Sequence, residues 1–183
     1  MSRKYKFRSQ DDLYFISTAT INWIDVFTRS LYKDIVVESL RFCQREKDLD
    51  IYAWCLMTNH LHMIIGTRGR KMEHTLRDMK QFTAKRILEA LAEHPEESRH
   101  DWMLWMMERA GRRMPGNDIY QFWQHDNHPI AVFTPTVLLQ KLHYIHQNPV
   151  VAGFVERPED WLYSSAKNYY SSDLPLLDVL LIE

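Results

Sequence analysis

IYAWCLMTNHLHMIIG, residues 51–66, decides the fold. Two runs rich in apolar, β-branched and aromatic residues flank Thr58-Asn59, one over 50–57 and one over 60–66. A gap of two residues between such runs predicts an antiparallel hairpin. Working outward, the Tyr-, Phe-, Ile- and Thr-rich stretch 12–21 reads as a strand. Over 30–47, Leu31, Ile35, Leu40 and Cys43 fall at helical spacing. After the hairpin, Met72, Leu76, Met79, Ile87 and Leu91 share one side of a helix over 71–93, which His94-Pro95 ends. Segment 119–123 reads as a fourth strand. Thr134-Pro135 suits the N-cap and first position of a helix over 134–146, with Pro149 limiting its far end. A short helix over 161–170 follows the Pro158 turn. Segment 96–117, with Trp102, Trp105 and a charged run at 108–113, fits either a loop or short helices. The order is βαββαβα. Its first six elements match a ferredoxin-like (split βαβ) α+β fold, an antiparallel sheet with helices on one face.

Composition narrows the function classes. A chain of 183 residues fits one domain over 1–183, and 45% hydrophobic residues exclude wholesale disorder. Lys and Arg number 23 against 24 Asp and Glu, a net charge of −1, so any nucleic-acid surface must be a local patch. Cys43 and Cys55 cannot build a disulfide framework or a four-cysteine zinc site. Five glycines argue against a long all-β chain. No apolar run approaches membrane-span length, and the basic start MSRKYKFRSQDDLYF lacks the apolar core of a signal peptide. A cytoplasmic protein without a membrane partner is expected.

Three groups of residues can carry chemistry. In a strand, His60 and His62 project to one side, as two metal ligands would, while Leu61 and Met63 point into apolar packing. Two histidines without a ligand role fit the same pattern. Tyr144 and Asn148, four apart on a helix, share a face. A phenol is a poor nucleophile at its free pKa of about 10, but can attack phosphorus when a metal polarises the phosphate. A half-buried aromatic and a helix cap fit that pair equally. Third, Arg68, Arg70, Lys71, Arg77, Lys80, Lys85 and Arg86 face only Glu73 and Asp78, and can track a phosphate backbone. Smaller basic groups stand at Arg3, Lys4, Lys6 and Arg8 and at Arg109, Arg112 and Arg113, and Phe82, Trp102 and Trp105 can stack on bases. A solvated helix face with core aromatics is the alternative. Ser164-x-x-Lys167 stands without the companion boxes of a β-lactamase-type site, and no Walker A, GxGxxG, HExxH or GxSxG motif is present.

These signals stand in one order that resembles a known family. MTNHLH at 57–62 resembles the M-x-N-H-x-H box of single-tyrosine HUH transposases. FWQ at 122–124 resembles their WQ box, YIHQNPVVAGFV at 144–155 their Y-I-x-x-N-P-V-x-A-G-L-V segment, and DWLYSSAKNY at 160–169 their closing W-x-x-S-S. The nearest subgroup is the REP-associated tyrosine transposases, and the resemblance runs over 14–170. Many relatives carry proline where this chain has Thr58, which is expected to affect only the hairpin, and 96–117 matches no family box.

The resemblance implies an HUH-nuclease type of ferredoxin-like fold and metal-dependent cleavage and rejoining of single-stranded DNA near hairpins. Tyr144 would be the nucleophile, forming a 5′-phosphotyrosine link. His60 and His62 would be catalytic metal ligands, with Asn148 the third ligand through its side-chain oxygen. The metal would be Mg²⁺ or Mn²⁺. The partner would be single-stranded or hairpin DNA, and a monomer is favoured over a homodimer. Two other readings compete: a non-catalytic hairpin DNA-binding protein with a vestigial HxH site, and a hydrolase using metal-activated water.

Overall fold

In a computed structural model describing residues 7, 9–94, 96–113 and 119–182, the hairpin forms as the sequence reads. Strand β2, Leu49–Leu56, pairs antiparallel with β3, His60–Thr67, and Met57 N–H donates to the His60 carbonyl at 2.8 Å to close the turn. Strand β1, Tyr14–Ala19, lies antiparallel on the other side of β3, with Ser17 opposite His62. Strand β4, Ile130–Ala131, pairs antiparallel with β1. The order β2-β3-β1-β4 is that of a ferredoxin-like α+β sheet.

Alternation along β3 divides two cores. Leu61, Met63 and Ile65 pack with helices α1, Ser30–Glu46, and α2, Met72–Glu93. Ile64 packs on the opposite face with Phe15, Leu142 and Ile145, the last two from α4, Pro135–Val151. The expectation of helices on one face is therefore corrected, because α4 covers the second. A bulge at Tyr52 keeps β2 consistent with both. Ile51 stands opposite Ile65, but Ala53 opposite Ile64, so Ile51, Trp54 and Leu56 share the α1–α2 face while Ala53 and Cys55 take the other.

Other expectations shift for local reasons. Segment 119–123 is not a strand. Phe122 and Trp123 are buried because they pack on Phe27, and Trp123 Nε1 donates to Thr83 Oγ1 at 3.0 Å. The chain does run along β1 there, through Gln124 N–H to Ala19 and Ser17 N–H to Asn127. His128, at φ 43°, and Pro129 delay regular pairing until Ile130. Segment 96–117 contains a helix, α3, His100–Gly111, burying Met103 and Met107; residues 114–118 lie outside the described residues, as do Arg3, Lys4, Lys6 and Arg8. In α1 the buried side is Tyr32, Val36, Val37, Leu40 and Cys43, and Leu31 is exposed.

Pro149 does not end α4 but lies in its last turn. Gly153, at φ +76°, closes the helix, with Gly153 N–H donating to Val150 and Phe154 N–H to Pro149. That bond pair is a Schellman cap. No atom lies within 4 Å of a Cβ built at Gly153, so the glycine answers the dihedral angle rather than crowding. Beyond it, only Ala166–Tyr170 is helical in the expected 161–170 helix. Residues 163–165 instead run along the outside of β2, joined by Leu56 N–H to Tyr163 and Ser165 N–H to Trp54. Tyr169 OH donates to the Tyr52 carbonyl and Leu180 N–H to that of Ile51. Among the described residues no helix is long and apolar enough to cross a membrane.

Candidate active site

His60 and His62 open onto the face that α4 covers, their ring centroids 4.6 Å apart. Tyr144 comes from α4, and its hydroxyl stands 3.5 Å from His62 Nε2. Asn148, one helical turn on, has its side chain close enough to His60 to raise that imidazole's pKa. The four residues singled out from sequence spacing therefore share one site, between the start of β3 and the last two turns of α4. Phe15 forms its floor, stacked on His62 at 5.5 Å and edge-on to Tyr144 at 5.9 Å. Tyr144 is 46% exposed, so its hydroxyl is open to a ligand, whereas His62 is buried.

The electrostatics keep both imidazoles neutral. Burial lowers His62 to about 3, with the repulsion that a protonated His60 would exert and the charge of Lys141 adding to the effect. His60 is lowered by burial and partly restored by Asn148 and Asp25. Neighbouring bonds fix the tautomer of His60. Asn59 Nδ2 donates to the Trp23 carbonyl at 3.2 Å and to Asp25 Oδ1 at 2.9 Å, so Asn59 must present Oδ1 to His60 Nδ1, 2.7 Å away. Nδ1 therefore carries the proton, and the ring lone pair is on Nε2, the nitrogen left to Asn148 or a ligand. Thr58 Oγ1 donates to the same Asp25 oxygen at 2.6 Å. Thr58 thus reaches beyond the hairpin into the support of His60.

The donors fit a divalent cation. Neutral imidazoles suit first-row divalent metals, and an amide oxygen suits harder ions such as Mg²⁺ and Mn²⁺. His62 Nδ1 is buried without a hydrogen-bond partner, so one end of that ring is unsatisfied by protein. Among the described residues no three His, Cys, Asp or Glu side chains converge. The side chain that could serve as a third donor is the Asn148 amide.

The basic stretch lies elsewhere. α2 packs against the sheet face opposite the histidines. Arg68 pairs with Asp50, Arg70 and Arg77 with Asp78, and Arg86 with Glu89. Lys80 turns inward to the Gln124 carbonyl and Asn127 Oδ1, and burial lowers it to about 8. Lys71 and Lys85 have no ion pair among the described residues. The cation beside the site is one the sequence reading missed. Lys141 Nζ stands 4.5 Å from the Phe15 ring and 5.6 Å from the Tyr144 ring. Its position three residues before Tyr144 on a helix was the available signal. Asp25, some 35 residues from His60 in sequence, carried none.

The remaining motif residues hold α4 in place. His146, on the buried side of α4, meets Ser165 Oγ at 2.8 Å and Tyr170 OH at 3.3 Å. Ser165 Oγ also accepts from Trp54 N–H at 2.9 Å. The second serine of W-x-x-S-S thus ties the tyrosine helix to β2, and burial lowers His146 to about 4.

The family profile described as Transposase IS200 like matches residues 14–107, just over half the chain. The chain belongs to the IS200-like transposase family. Among solved structures, this transposase is similar to a REP-associated tyrosine transposase bound to a REP hairpin, at TM-score 0.66 and 16% identity, over 97% of this chain and 94% of that one. That similarity shows a shared fold. A Deinococcus radiodurans R1 protein assigned as a transposase aligns at TM-score 0.46 and 17% identity, over 79% of this chain and 94% of that one. No curated protein matches the transposase at significant similarity.

Proposed function

We propose that the transposase cleaves and rejoins single-stranded DNA beside hairpins, with Tyr144 as the nucleophile. The observation that carries this reading is the meeting of Tyr144, His62, His60 and Asn148 at one site with a half-exposed phenol. The neighbour's REP hairpin supports hairpin DNA as the partner. His60, through Nε2, His62 and the Asn148 side-chain oxygen would hold Mg²⁺ or Mn²⁺, which supplies charge neutralisation at the scissile phosphate.

Tyr144 Oη releases its proton to solvent as it attacks phosphorus and the bond to the 3′ oxygen breaks, leaving a 5′-phosphotyrosine link and a 3′ oxygen that takes up a proton to become a 3′-OH. The phosphoester is conserved, so a 3′-OH can reverse the step and join strands without a nucleotide cofactor. Phe15 holds His62 and Tyr144 at fixed separation, and Lys141 places positive charge beside the phosphate. Donation from His60 Nδ1 to Asn59 Oδ1 keeps His60 in the tautomer that offers Nε2.

A denaturing gel tests the reading. Protein incubated with Mn²⁺ and labelled hairpin DNA carrying a single-stranded flank, taken from the borders of its own gene, should form a protein–DNA adduct. Tyr144→Phe and His62→Ala should abolish it. Cleavage that persists in Tyr144→Phe would mean hydrolysis by metal-activated water, and binding with neither cleavage nor adduct would mean a hairpin-binding protein.

A further inference from the structure

A turn that contributes none of its residues to this site stands beside it. The turn Ile21–Trp23 holds Asn22 and Trp23 consecutively in the left-handed region, at φ 54° and 55°. Neither is glycine, and for Trp23 above all this is a strained conformation of the kind that gathers at functional sites. The turn has two outlets. Trp23 is exposed and stands edge-on to His60 at 5.7 Å. Asn22 lines a hollow of about 320 Å³ against α3, shared with Ile21, Met106, Arg109, Arg113 and Gln121. Arg109 and Arg113 also border an adjoining hollow of about 300 Å³ beside Trp105. Trp105 is half exposed, and the Arg109 guanidinium lies over it at 5.3 Å.

The surroundings leave this charge available. Arg112 is paired with Glu108, but Arg109 and Arg113 have no ion pair among the described residues. Two guanidinium groups suit phosphate, the Asn22 and Gln121 amides suit base edges, and an exposed tryptophan suits base stacking. The path into the active site is one residue long, from Asn22 to Trp23.

We propose that the α3 hollow binds the single-stranded nucleotides next to the scissile phosphate, with Arg109 and Arg113 on the DNA backbone and Asn22 reading a base. This rests on the reading of Tyr144 as a DNA-cleaving nucleophile. It adds a specificity site that α3, the segment without a family motif, brings to the transposase.

The test uses the full chain and a fluorescein-labelled mixed-sequence 20-mer of single-stranded DNA in EDTA, followed by anisotropy across a salt series. Arg109→Gln/Arg113→Gln should weaken binding about tenfold and lower the salt slope by about 1.4, at about 0.7 per lost phosphate contact. Asn22→Gly, which tolerates the positive φ, should leave the salt slope unchanged and flatten preference among oligonucleotide sequences. Arg45→Gln/Arg157→Gln removes equal charge elsewhere and should bind as wild type does. Photocross-links from 5-iodouracil should map to 102–113 and 21–23. Binding by the Arg109/Arg113 variant within twofold of wild type, or cross-links that avoid α3, would overturn the proposal. So would a concentration-dependent dimer lost in Trp105→Ala with DNA binding intact. The Tyr144 adduct assay reports separately: an adduct with no effect of the α3 substitutions sinks only the hollow, and α3-dependent binding with no adduct sinks only the tyrosine chemistry.

Discussion

Replacing Glu97 by Gln should cost the transposase about 2 kcal/mol at neutral pH. The Glu97 side chain is 1% exposed and lies between two arginines. Arg29 Nε donates to one carboxylate oxygen at 2.9 Å, and Arg99 grips both oxygens, at 3.0 and 3.2 Å. These bonds, Arg99's foremost, lower Glu97 from 4.5 to about 2. At 1.36 kcal/mol per pH unit the ceiling is about 3.4 kcal/mol. The arginines are 41% and 35% exposed, so water screens part of this and about 2 kcal/mol is retained. A depressed carboxyl pKa stabilises the fold fully above the unfolded value and loses that contribution as pH falls through the folded value. At pH 3, between 4.5 and about 2, roughly 0.8 kcal/mol remains. Urea unfolding followed by tryptophan fluorescence should therefore show Glu97→Gln destabilised by about 2 kcal/mol at pH 7, some 4–8 °C in Tm. The gap should shrink by more than half at pH 3. Equal gaps at both pH values, or one under about 0.5 kcal/mol at pH 7, would refute the assignment of this stability to the Glu97 charge. The substitution also bears on the site. Arg99 donates to the Asp25 carbonyl at 2.9 Å and to Thr28 Oγ1 at 2.8 Å, and Asp25 is the anchor of Asn59.

Asn59→Ala should weaken Mn²⁺ binding 10- to 100-fold, measured by calorimetry, while leaving Tm nearly unchanged, because it frees the ring of His60 without opening the core. Gly153→Ala should lower stability by about 1 kcal/mol, read as a fall of roughly 2–4 °C in Tm, because alanine must enter the left-handed region there. His146→Phe keeps a ring in place but loses the bonds to Ser165 and Tyr170, and should cost about 1–2 kcal/mol in urea unfolding.

The parts of this molecule legible in the sequence are those written in short-range periodicity. Residues 51–66 disclosed a hairpin because turn and strands adjoin, and i, i+2 and i, i+4 spacing placed His60 with His62 and Tyr144 with Asn148. What brought the two pairs together was the packing of Leu142 and Ile145 on Ile64, a tertiary event without a local signature. The fourth strand was misplaced because Phe122 and Trp123 are apolar for the sake of Phe27 and Thr83, not for a ladder. The partners of the basic run were likewise not legible in it. Asp50, Asp78 and Glu89 engage arginines there, and Lys80 is committed to a loop.

The segment running from Tyr163 to Leu180 along the outside of β2 has a consequence for solubility. It occupies the polar groups that Ile51, Tyr52, Trp54 and Leu56 would otherwise offer to a foreign strand. At the opposite margin, β4 presents only two residues. A sheet covered on one side and short on the other gives a neighbouring chain little to zip onto. Displacing that cover would bare a stretch of β2 reading Ile, Tyr, Ala, Trp, Cys, Leu, six residues on which Asp50 at one end is the nearest charge. The segment therefore works as an anti-aggregation strap, and cutting it away would reveal itself first as precipitation.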